Sequence, residues 1–161
     1  MVGEASIIYR ASRARKTLQA ILSQDPSRIG ENDEFEFHVY KTDWKISREK
    51  GNRAIELAQQ VSDQGYYTIS IELSFYCIER AFETWIMKKK RARGFRMKHG
   101  DVFDLGADYG LISGKCAMSI RTLWDNYRAS QYYRPYVPTK KSAERMIALA
   151  VSVNEFIEER L

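Results

Sequence analysis

The stretch YYTISIELSFYCIERAFETWIMKKK, Tyr66 to Lys90, decides the fold. Its apolar residues Ile69, Leu73, Phe75, Tyr76, Cys77, Ile78, Phe82, Trp85 and Ile86 cover more than one face of a helix, which predicts a central helix packed against at least two others. Gln64-Gly65, just before it, ends a preceding helix. That helix starts from Asp43 as N-cap and carries a seam of small residues, Ser47, Gly51, Ala54, Ala58 and Val61, with Ile55 and Leu57 beside it. A seam of small side chains lets two helices approach closely.

Beyond Lys90, His99-Gly-Asp-Val-Phe-Asp-Leu105 begins a short helix or turn, with His99 as its cap, and Gly106, Gly110 and Gly114 punctuate the approach to the next long helix. There, at about Ser113 to Tyr132, Cys116, Ile120, Leu123, Trp124 and Tyr127 recur at spacings of three and four, so one face is buried. Pro135 and Pro138 bracket a turn, and Thr139 caps a final helix with Ala143, Met146, Ile147, Ala150, Val153 and Ile157 on one stripe. The expectation is an all-α protein, an up-and-down four-helix bundle over residues 44–161.

Residues 1–43 read as a separate N-terminal part. Residues 6–24 predict a helix with Ile7, Ala11, Ala14, Leu18 and Ile21 on a narrow stripe, ended by Asp25-Pro26. Residues 28–41 alternate Phe35, Phe37 and Val39 with polar neighbours and read as an extended connector.

A length of 161 residues with 44% hydrophobic content suffices to bury a core without disulfide or metal staples. Of the 26 basic residues, seven lie between Lys88 and Lys98, a run with no acid; subtracting those seven from 26 leaves 19 against 21 acidic residues, a net of −2. The basic character is therefore local, and the chain need not be a general polyanion binder. Cys77 and Cys116 read as small buried hydrophobes, and neither stands at metal-ligand spacing from a histidine. No cofactor or metal site is expected. Glu72, Glu79 and Glu83 interrupt the longest apolar run, and no charged-then-apolar leader opens the chain, so a soluble cytoplasmic protein is expected.

The residues with chemistry gather at two places. Arg128, Tyr132 and Tyr133 close the third long helix; Arg128 sits at the edge of the apolar face and Tyr132, four residues on, shares its side. A guanidinium there needs a partner, since an unpaired buried charge costs several kcal/mol. It either pairs with a helix acid, Glu79 and Glu83 being first in line, or binds an anion. The second place is the basic run, with Lys89, Lys90, Arg91, Arg93 and Arg96, which reads as a solvated helix end or as an RNA-facing loop. Arg93 and His99 also stand six apart, a spacing that chance accounts for, and His38 carries no role.

In order and spacing, several elements resemble the HEPN superfamily, small all-helical domains named for higher eukaryotes and prokaryotes nucleotide-binding. They are Asn52-Arg-Ala-Ile-Glu-Leu-Ala58, the Gly65-Tyr-Tyr turn, His99 before a short helix, Trp124-Asp-Asn-Tyr-Arg128-Ala-Ser-Gln-Tyr-Tyr133, and an alanine-rich last helix, spanning about residues 45–161. The resemblance implies a homodimer and, in active relatives, a metal-independent ribonuclease whose signature is Arg, four to six residues, then His. Arg128 matches; Tyr133 falls where the histidine would stand, and Ala129 where active members often have a polar residue. A phenol of pKa about 10 stays protonated at neutral pH and is a poor general base. The resemblance thus implies nucleotide or RNA binding, with a nucleotidyltransferase-like or toxin–antitoxin protein as partner. The alternatives are a working ribonuclease, with Arg128 on the phosphate and Tyr133 or His99 in the histidine's role, and a scaffold without chemistry.

Overall fold

The computed structural model describes residues 43–90, 100–133 and 138–161, with the backbone alone at Asp43, Lys90 and 128–133. The expected N-terminal helix, the extended connector, His38 and most of the basic run lie outside these residues. Every regular element described is helical: α1 (Asp43–Asp63), α2 (Tyr67–Lys90), α3 (Asp101–Asp108), α4 (Gly114–Tyr133) and α5 (Lys140–Glu158). The protein is an all-α helical bundle.

The small seam of α1 does what its composition predicts. Ser47, Gly51, Ala54 and Ala58 are buried, and a Cβ added at Gly51 would stand 3.2 Å from Arg80 Cβ, so α1 lies close on α2. Gly65 then ends α1 with φ 86°. Its N–H donates to Ser62 O at 2.9 Å and that of Tyr66 to Val61 O at 2.8 Å, the pair of bonds that satisfies the last carbonyls of a helix closed by a left-handed glycine.

α2 is central because it has two working faces. Phe75, Glu79 and Phe82, at spacings of four and three, look toward α3 and α4: Phe75 meets Tyr127 with ring centroids 5.7 Å apart, and Phe82 meets Phe103 edge-on at 5.3 Å. Cys77, Arg80 and Glu83 look toward α1, against Gly51 and Ser47. Phe75, Ile71, Ile78, Phe82 and Ile86 are all essentially inaccessible. Fully burying side chains of this size is worth about 1.5–3 kcal/mol each. The apolar reading of α2 fails at Ile69, which is 51% exposed while Ser70 beside it is buried.

Paired residues fix the directions. Trp44 meets Lys88 and Ser47 meets Glu83, so α1 and α2 are antiparallel. Trp124 meets Glu79 and Tyr127 meets Phe75, so α4 and α2 are antiparallel. Arg48 bonds Glu158 and Asn154 bonds Asn52, which sets α5 against α1. The long helices therefore run up, down, up and down, with α3 inserted before α4. One end of the bundle gathers the C-termini of α1 and α4 with the N-termini of α2 and α5; the other gathers their opposites.

Three expectations around α3 and α4 need correction. The N-cap of α3 is Gly100, with φ 91° and no side-chain cap bond, so the capping role expected of His99, itself outside the described residues, falls to a glycine. Gly106 is no breaker but an interior residue of α3, kept small because a Cβ there would stand 2.8 Å from the Phe82 ring. Cys116 is exposed. The buried stripe of α4 begins at Ala117 and continues through Ile120, about 100° around the helix from Cys116. At α5 the expected cap is present as a reciprocal pair: Thr139 Oγ1 accepts from the Ser142 N–H at 3.3 Å while Ser142 Oγ accepts from the Thr139 N–H at 2.9 Å.

Candidate functional site

The last turns of α4 follow an anchored segment. Trp124 Nε1 donates to Glu79 Oε1 at 2.6 Å, on a carboxylate that is 2% exposed. A buried carboxylate is costly unless hydrogen-bonded, so this bond fixes α4 on α2. Arg128 lies one turn beyond Trp124. The antiparallel register, 124 against 79 and 127 against 75, brings that position to the level of Glu72 and Phe75 on α2. Tyr132 and Tyr133 complete the helix near the start of α2.

Of the two acids set against Arg128 from sequence, Glu79 faces α4. Glu83 lies roughly two to three helical turns away from the Arg128 level, on the α1 side. Its Oε2 accepts from Ser47 Oγ at 3.0 Å and from Arg80 Nη1 at 2.6 Å. The Arg80 guanidinium also lies over the Tyr76 ring, 4.9 Å from its centroid, and its buried Nε finds no hydrogen-bond partner among the described residues. Glu83 thus belongs to an α1–α2 brace.

An open groove of ≈ 290 Å³ shares the end of the bundle where α4 finishes. It is lined by Gly65, Tyr66, Tyr67, Thr68, Ile69 and Pro138. Its floor is the first turn of α2, where backbone N–H groups without intrahelical partners and the positive end of the helix dipole favour an anion. Tyr66, 57% exposed, and Ile69 supply an apolar rim.

The sequence-predicted site residues therefore divide. Arg128, Tyr132 and Tyr133 belong to the groove end. Lys89, exposed, and Lys90 belong to the far end of α2, on the order of 20 Å along the helix at 1.5 Å per residue. Arg91, Arg93, Arg96 and His99 lie outside the described residues. Among the described residues no group of three His, Cys, Asp or Glu side chains is placed to hold a metal, and no helix is long and apolar enough to cross a membrane.

Two charged arrangements escaped the sequence reading. Arg121 on α4 reaches Asp104 at 3.1 Å, Asp125 at 3.2 Å and Asp101 at 3.8 Å, clasping α3 to α4. Trp44 lies between lysines, with Lys88 Nζ 4.6 Å and Lys45 Nζ 5.7 Å from its ring centroid. The i,i+4 spacing of Arg121 and Asp125 and the adjacency of Trp44 and Lys45 were visible in sequence; the other contacts need the helix pairing.

No curated protein and no solved structure matches this chain. The match that does exist is to a family model, and it takes in nearly the whole chain, residues 11–161: the protein belongs to the family described as Domain of unknown function (DUF8154).

Proposed function

We propose that this protein binds nucleotide or RNA phosphate at the groove end of the bundle, as a two-fold dimer of the HEPN kind. The observation that carries the reading is the convergence of the last turns of α4, with Arg128, on the same end as the open first turn of α2. A cation and a helix N-terminus at one end of a bundle suit a phosphate, while Tyr66 and Tyr67 offer ring faces to a base or ribose. The dimer follows from the HEPN resemblance, which also makes a nucleotidyltransferase-like or toxin–antitoxin protein the expected partner. With Tyr133 in the place of a histidine, the reading is of binding without efficient cleavage.

The test is titration of the full chain with a fluorescent nucleotide and with a labelled single-stranded RNA. Arg128→Ala is expected to weaken binding about tenfold or more while leaving the melting transition within a few degrees of wild type. Unchanged affinity, or a collapse of the fold, would place Arg128 in the structure and not in a site. Light scattering of the same protein at tens of micromolar should give twice the chain mass, and a monomer would end the two-fold part of the proposal.

A further inference from the structure

We draw no further inference here: the strongest candidate, the exposed apolar surface of the α1–α2 hairpin with Leu57, Tyr66 and Ile69, is an unpartnered face, and nothing in the structure shows what covers it.

Discussion

Trp124 and Glu79 are joined by a 2.6 Å hydrogen bond from the indole to a carboxylate that is 2% exposed, and through it α4 is fixed on the central helix. Trp124→Phe keeps a ring in place and removes the donor. It should destabilise the protein by about 1–3 kcal/mol, the usual penalty for taking a partner from a buried acceptor. Urea denaturation will show this as a lower midpoint at unchanged slope. A loss below about 0.5 kcal/mol would mean that the bond contributes nothing net.

Glycines of two kinds make opposite demands on a methyl group. At Gly106 a Cβ would lie 2.8 Å from two Phe82 ring atoms, so Gly106→Ala must push Phe82 off Phe103; an expected cost of about 1–3 kcal/mol outweighs the roughly 1 kcal/mol that alanine gains in helix propensity. At Gly65 space is open but φ is 86°, and Gly65→Ala should cost about 1–2 kcal/mol through backbone strain alone. Thermal melts of both variants check this. Repacking around residue 106 would show as altered near-ultraviolet circular dichroism in Gly106→Ala and not in Gly65→Ala.

The two thiols should behave as different chemical species. Burial pushes the Cys77 thiol up from its ordinary 9.0 to about 12, whereas Cys116 is exposed. Titration with a thiol reagent near pH 8 should find one fast thiol in native protein and two in denaturant, and Cys116→Ser should abolish the fast one. The pH dependence has a definite sign. Above about pH 9 the unfolded chain releases the Cys77 proton while the folded chain keeps it, so the unfolded state binds fewer protons and stability falls as pH rises from about 9 toward 12. Cys77→Ala or Cys77→Val should flatten that decline. A native protein with two fast thiols would contradict the burial of Cys77.

Tyr133→His offers a gain-of-function test of the motif that closes α4. It supplies an imidazole with pKa near 6.5 at the spacing of the resembled ribonucleases. Wild-type protein should show little cleavage of RNA in the presence of a chelator, and Tyr133→His should show more, in a manner abolished by Arg128→Ala. Robust wild-type cleavage that survives Arg128→Ala would refute both the site and the borrowed mechanism.

The helices were legible because their signals are local. The two-faced apolar pattern of α2, the small seam of α1 and the Thr139 cap each depend on residues within a few turns of one another, and each is present. The sequence reading failed where a residue's environment comes from another element. Cys116 and Ala117 differ by one position, and only the packing of α4 against the other helices decides which of them is buried. Gly106 looked like a breaker because the Phe82 ring above it comes from a helix more than twenty residues earlier. Trp44 and Lys88 meet only because α1 and α2 run antiparallel through one tight turn. The antiparallel register of α4 on α2 sets Arg128 at the opposite end of α2 from Lys89.

The burial of α2 on more than one side also sets how the chain tolerates change. Over residues 77–86 every position except Arg80 is buried, so saturation mutagenesis there should give an almost unbroken block of intolerance, without the three-to-four-residue rhythm of a surface helix. In α5 buried positions recur at 143, 146, 147, 150 and 157 with exposed ones between them, and a periodic record should result. Divergence among relatives is then expected to accumulate on α5 and on the outer side of α1, while the α2 segment changes only by compensated exchanges with the helices that enclose it.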